Sequence, residues 1–231
     1  MRLDRFLSKT LGESRSTVKK YIRNKKVTIN GVAVTSESFQ EDTNSDEVVF
    51  NREVLHYEEF HYYLINKPAG YVCANEDNVH PTIVSFAPEF MMHNLHTVGR
   101  LDKDTTGALL LTNNGKLTHR LISPKKGVEK IYLATTDVPI PNELVAHFAC
   151  GIKITDHFKT LPATLEIVSL NVGRVTVVEG KFHQIKRMFQ AFDLQVVNLH
   201  REQFAMLRVD DLAVGEYRKL SPEEVNLLIK D

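Results

Sequence analysis

The chain is poor in the features that mark most alternatives to a plain globular protein. Of its 231 residues only two are cysteine, Cys73 and Cys150. Their spacing fits no metal motif and is too sparse for a disulfide scaffold, so they read as ordinary thiols of a reducing compartment. No stretch approaches the roughly 18 consecutive apolar residues of a membrane span. The opening MRLDRFLSKTLGE has no apolar run of signal-peptide length, and charges recur through it, so a cytoplasmic location is expected. No G-x-x-x-x-G-K-[ST] is present and no G-x-G-x-x-G follows a strand, which argues against nucleotide and dinucleotide cofactors. G-x-S-x-G and H-E-x-x-H are also missing. The ten histidines are scattered without metal-ligand spacing. Any chemistry is therefore expected to need neither cofactor nor metal. Net charge is zero and the pI is near 7.2, so bulk charge names no partner.

What the chain does have is an uneven distribution of that charge. Residues 1–26 carry nine basic side chains against two acidic ones, and residues 27–60 carry one basic against eight acidic, so a +7 head precedes a −7 segment. The head reads as two short helices. Leu3, Phe6, Leu7 and Leu11 recur at helical spacing, Gly12 stops the first helix, and Ser14 can cap the second. In the second, Val18, Tyr21 and Ile22 form the apolar face. Arg15, Lys19, Arg23 and Lys26 are expected to stack into one cationic stripe suited to RNA phosphates. VTINGVAV predicts a β-hairpin turning at Asn30-Gly31, and DEVVF at 46–50 a further short strand. The run RLDRFL, SRSTVKKYI, KVTINGVAV and DEV resembles the S4 RNA-binding domain over roughly residues 1–48.

Residues 1–50 are accordingly expected to form one domain, 51–60 a linker, and 61–231 a second domain. In the second, HYYLIN, GALLLTN, KIYLATT, ATLEIVSL and RVTVVEG are strand-like, while LTHRLIS, PNELVAHFA, HQIKRMFQAF and PEEVNLLIK are helix-like. Strands and helices do not alternate strictly. An α+β fold follows, with a mixed, largely antiparallel sheet flanked by helices.

Three polar segments interrupt the apolar pattern of that domain: Asn66–Gly70, the glycine-bounded Gly99–Gly107, and Glu179–Arg187 at a strand-to-helix junction. Each alone has a structural explanation, such as a cap, a salt bridge or a solvated helix face. Together, NKPAGYV, GRLDKDTTG, EKIYLA and GKFHQIKRM, in that order after an S4-like segment, resemble the RsuA family of pseudouridine synthases over essentially the whole chain. The resemblance implies that Asp102 is the essential carboxylate and that Tyr132 lines the active site. It also implies that Lys186, where many relatives have Arg, meets the aspartate.

Arg100 is, with Lys186, a candidate cation beside Asp102 and is also a candidate to fill the vacated base stack or hold a phosphate, and Leu199 is a candidate pocket wall. Lys67, Lys125, Lys126 and Arg187 join the stripe as candidate RNA contacts, and Arg120 and Lys130 bracket the same tyrosine segment. A flipped-out uridine stacked on Tyr132 is the expected substrate pose. Length, domain pair and opening residues most resemble the small-subunit member of the family, which acts on uridine 516 of 16S rRNA. The same chemistry on 23S rRNA and a non-catalytic rRNA-binding assembly factor are the alternatives. The expected partner is 16S rRNA, free or in a ribonucleoprotein assembly intermediate, and the protein is expected to be a monomer.

Overall fold

The computed structural model describes all residues except 41, 43–45, 56–57, 156 and 231. Gly12, at φ 68°, terminates helix α1 (Leu3–Leu11) in the left-handed conformation that glycine adopts without penalty. Ser14 opens α2 (Arg15–Arg23), its Oγ accepting a hydrogen bond from the Thr17 amide at 3.2 Å. Strands β1 (Val27–Ile29) and β2 (Val32–Ala33) turn at Asn30-Gly31, with φ of 50° and 79°. Two consecutive positive φ values are what a type I′ hairpin turn requires. β3 (Val48–Phe50) and β4 (Glu53–Leu55) complete a four-stranded sheet in the order β2-β1-β3-β4. Leu3, Phe6, Leu7, Val18 and Ile22 meet Ile29 and Val48 in one apolar core. This unit comprises Met1–Glu59.

Two expectations change here. The segment 51–60 is not simply a linker, because Glu53–Leu55 pairs with β3, Val49 opposite Val54; residues 56 and 57 lie outside the described residues. The cationic stripe is also shorter than its spacing suggested. α2 ends at Arg23, and Lys25 takes φ 56°, so Lys26 leaves the helical row and sits with its ammonium 5.7 Å from the Tyr21 ring.

The second unit, Phe60–Asp231, is built on a large sheet. In chain order its elements are β5 (Tyr62–Lys67), α3 (Pro88–Met92), β6 (His96–Thr97), β7 (Thr106–Thr112), α4 (Gly115–Ile122), β8 (Lys130–Thr136), α5 (Leu144–Cys150), β9 (Lys153–Thr155), β10 (Phe158–Lys159), β11 (Thr164–Ser169), β12 (Val172–Val177), α6 (Gln184–Gln190), β13 (Val196–Phe204), β14 (Leu207–Arg208), β15 (Tyr217–Lys219) and α7 (Pro222–Lys230). The sheet order is β11-β12-β8-β13-β7-β5-β15, with β14 on β13 and β6 on β7. Every pairing is antiparallel except β13 with β7. The fold is α+β with a mixed, largely antiparallel sheet.

The apolar run of β7 follows from its central place. Leu109 and Leu111 enter the core that receives α3, α5 and α6, whereas Ala108 and Leu110 enter the one that receives α4 and α7. A strand covered on both faces has no polar side to show. At its start, Gly107 has φ 108° and a Cβ there would lie 2.2 Å from the Arg201 carbonyl oxygen. Only glycine lets β13 come alongside. At the far end, Ser221 Oγ accepts from the Glu224 amide while Glu224 accepts from the Ser221 amide, a reciprocal capping box that starts α7.

Candidate active site

The segment that carries Asp102 connects β6 to β7 and is held from below by Lys67. This lysine ends β5 and its side chain is fully buried. Its ammonium donates to the carbonyls of Pro68 at 3.0 Å, Asp102 at 3.2 Å, Lys103 at 3.4 Å and Thr105 at 2.9 Å. Burial lowers the Lys67 pKa, opposed by the charges of Cys73, Asp104 and Asp102. The expectation that Lys67 meets RNA is therefore corrected: a group this enclosed clamps the loop. Two further bonds fix the same loop, Gly70 N to Lys103 O at 2.8 Å and Leu101 N to Cys73 Sγ at 3.3 Å. The Asp102 side chain remains 26% exposed above this anchored backbone.

Facing it is the start of α6. Ile185, Met188 and Phe189 are buried in the core, which turns Lys186 outward from that face. The Lys186 ammonium lies 3.3 Å from Asp102 Oδ2 and 2.7 Å from Asp104 Oδ1. The contact with Asp102 is as expected; the shorter one, to Asp104, was not anticipated. Partial burial works against the Lys186 charge, but the hydrogen bond to Asp104 and the two carboxylate charges outweigh it and raise its pKa. The same hydrogen bond lowers that of Asp104. His183 is a second partner of Asp102, its Nε2 3.4 Å from Oδ1. Arg100, the other candidate cation for Asp102, is exposed and forms no ion pair among the described residues.

Asp102, Arg100 and His183 border a cleft of about 640 Å³ whose walls include Tyr132, Leu199, Lys130 and Arg201. Tyr132 lies on β8, where side chains alternate between buried and half-buried, and retains 9% exposure. Arg201, its cross-strand neighbour on β13, is buried. Its Nε donates to Ala108 O at 2.6 Å and its Nη1 to the Tyr132 hydroxyl at 3.4 Å, while Nη2 has no hydrogen-bond partner among the described residues. Lys130 is buried too and donates to Val128 O at 2.6 Å. Burial, then the charge of Arg201, push its pKa down to about 8 against the pull of Glu179.

The other candidate cations are dispersed. Lys125 and Lys126 sit on an exposed turn at Pro124–Lys126. Arg187 is tied to the carbonyls of Ile154 at 3.2 Å and Phe182 at 3.5 Å, so it braces the loop before α6 instead of standing free for phosphate. Arg120 likewise donates to the carbonyls of Leu228 and Ile229 at the end of α7. In the N-terminal unit Arg15 is exposed, while Lys19 and Arg23 share Glu37 at 3.1 and 2.5 Å.

Sequence reasoning missed Arg201 and the enclosure of Lys130. β13 reads as VVNLHREQF, with no clean alternation, and register shifts interrupt its pairing with β8. No group of three or more His, Cys, Asp or Glu among the described residues is arranged to hold a metal. No helix among them is long and apolar enough to cross a membrane. Chemically, the site offers an anchored carboxylate with a paired ammonium at the edge of a cleft with aromatic and aliphatic walls.

Comparison with known proteins agrees with that geometry. Residues 61–191 match the family described as RNA pseudouridylate synthase, and residues 1–44 match the S4 domain. The chain is 42% identical to a ribosomal small subunit pseudouridine synthase A of Haemophilus influenzae over 233 residues, covering 100% of both. It is 40% identical to the protein of that name from Escherichia coli K12 over 227 residues, covering 97% of this chain and 98% of the relative. A crystal structure of a pseudouridylate synthase superposes with a TM-score of 0.70 at 42% identity, covering 99% of each chain. The chain belongs to the RNA pseudouridylate synthase family.

Proposed function

We propose that this enzyme isomerises a uridine of small-subunit ribosomal RNA, uridine 516 of 16S rRNA, with Asp102 as the essential carboxylate. The observation that carries the mechanism is the Asp102–Lys186 pair, 3.3 Å apart at the cleft. The choice of RNA rests on the relatives, which are ribosomal small subunit pseudouridine synthases. In the reaction the N1–C1′ bond breaks, the uracil turns, a C5–C1′ bond forms, and the C5 proton leaves while N1 gains one. Nothing is oxidised and no group is added, so side chains suffice.

Breaking the glycosidic bond places positive character at C1′, which an ionised carboxylate can stabilise or attack. Lys186, 3.3 Å from Oδ2, pairs with that carboxylate and fixes its direction. A stacked uridine cannot reach this pocket, so the base is flipped into the cleft against Tyr132, with Leu199 as apolar wall. Arg100 at the cleft edge, Lys125 and Lys126 on their turn, and Arg15, Lys19 and Arg23 on α2 hold phosphates. The protein acts as a monomer in the cytoplasm, on free 16S rRNA or on an assembly intermediate.

The test is a pseudouridine map of rRNA from cells with and without the gene. Loss of one 16S pseudouridine, restored by the wild-type protein and not by Asp102→Asn, is expected. An unchanged map, or a loss confined to 23S rRNA, contradicts the proposal. Side-by-side assays on naked 16S rRNA and on small-subunit particles identify the form acted on.

A further inference from the structure

Phe182 is the most solvent-exposed phenylalanine of the chain, at 74%, yet it sits on the lining of the catalytic cleft. An exposed phenyl ring costs hydrophobic free energy, and a mobile loop would let it fold back. This loop is not free to do so. The Lys181 amide donates to Gln184 Oε1 at 2.9 Å, and Gln184 Nε2 donates to Glu179 Oε1 at 3.0 Å. Glu179 also accepts from the Leu161 amide at 2.8 Å, and Arg187 reaches the Phe182 carbonyl at 3.5 Å. His183 completes the brace at φ 50°, in the left-handed region that few non-glycine residues adopt.

The ring is stacked on one side. Phe182 and His183 lie 3.8 Å apart between centroids with planes 18° apart, and His183 in turn reaches Asp102 at 3.4 Å. The imidazole thus touches the carboxylate through its Nε2 and the phenyl ring through its face. We infer that the outer face of Phe182 is a stacking platform for the base of a nucleotide flanking the flipped uridine. Resting on the proposed RNA substrate, this reading accounts for an exposed aromatic ring held on the lining of the cleft. A base stacked there extends the stacked pair and fixes the strand as it enters the cleft. The platform is distinct from Tyr132, which lies inside the cleft, and it tolerates any base because every base has a π-face.

The chain contains no tryptophan, so Phe182→Trp supplies a single fluorescent reporter at this position. The probe is a 16S rRNA fragment containing the target uridine, either intact or with an abasic residue at one flanking position. Intact RNA should quench the Phe182→Trp emission saturably, and the fragment lacking the stacked base should not. Phe182→Ala should weaken binding roughly 5- to 150-fold, the range for loss of one base–aromatic stack. Phe182→Tyr should restore affinity. The abasic fragment should bind Phe182→Ala no more weakly than intact RNA does. Equal binding by wild type and Phe182→Ala, with pseudouridine formed by both, overturns the inference alone. A wild-type protein that forms no pseudouridine in 16S rRNA overturns the proposed function and this inference with it.

Discussion

Replacing Lys67 by methionine separates a structural clamp from an RNA contact. The ammonium faces four backbone carbonyls but has only three protons, and the 3.4 Å contact to Lys103 is the longest. Truncation removes those donors. The Asp102 and Lys103 carbonyls keep a second donor each, in Thr105 N at 3.1 Å and Gly70 N at 2.8 Å. A buried polar group left unsatisfied costs about 1–3 kcal/mol. Relief of the buried charge returns part of this, since burying an ammonium is itself unfavourable. A net loss of about 2–4 kcal/mol is expected from these opposing terms. Urea denaturation should show it as a lower midpoint with an unchanged m-value. The loop that carries Asp102 loses its anchor, and a displacement of about 1 Å at a reacting group can cost 100-fold in rate. Release of the C5 hydrogen from labelled uridine in RNA should fall by at least that factor, while RNA affinity stays near wild type. Weakened RNA binding with normal stability and normal turnover would refute the clamp and reinstate Lys67 as a phosphate contact.

Asp102→Asn removes charge with little change in volume, and it should abolish turnover while leaving fold and RNA affinity intact; appreciable turnover counts against the assignment. Lys186→Met should cut turnover strongly and Lys186→Arg should retain part of it, measured in the same assay. Lys130 titrates near pH 8 in the native state against an ordinary value of 10.5. Between those values the unfolded chain holds a proton that the native chain lacks, so Lys130 makes stability rise with pH across that window, by roughly 3 kcal/mol at most. The difference in stability between wild type and Lys130→Met, followed by urea titration from pH 7 to 10.5, should show that rise, and a flat difference refutes it. Replacing Arg15, Lys19, Arg23 and Lys26 by alanine should lower the salt dependence of RNA binding. Because Lys26 leaves the helical row and the one Glu37 charge offsets about one of Lys19 and Arg23, the slope should fall by about two phosphate contacts instead of four. An unchanged slope would remove the stripe from the RNA interface.

Much of the fold is legible in the chain because its signals are short-ranged. Gly12, Ser14, Asn30-Gly31 and the Ser221–Glu224 box act through torsions and hydrogen bonds within four residues, and each forms as its residues require. The apolar spacing of Ile185, Met188 and Phe189 aims Lys186 off the core. The ordered motifs around Asp102, Tyr132 and Lys186 then point to one candidate site without coordinates. Strand β13 was not legible, because its polar composition breaks the two-residue pattern that marks a half-buried strand.

By itself, then, the sequence determined the local elements, the α+β class and the family, since these depend on residue order and near-neighbour torsions. Only the tertiary structure decided what each charged side chain does. Lys67 and Lys103 are 36 positions apart, and Arg201 and Ala108 are 93 apart. Whether a lysine or arginine meets solvent, a carboxylate or a ring of carbonyls depends on which distant strand lands beside it. That same packing turned Lys67 into a clamp, tied Arg187 and Arg120 to backbone carbonyls, and enclosed Lys130 and Arg201. It also brought Asp104 and His183 to the carboxylate pair. The cost of burying a charge is paid or offset by long-range neighbours, and no local pattern records them.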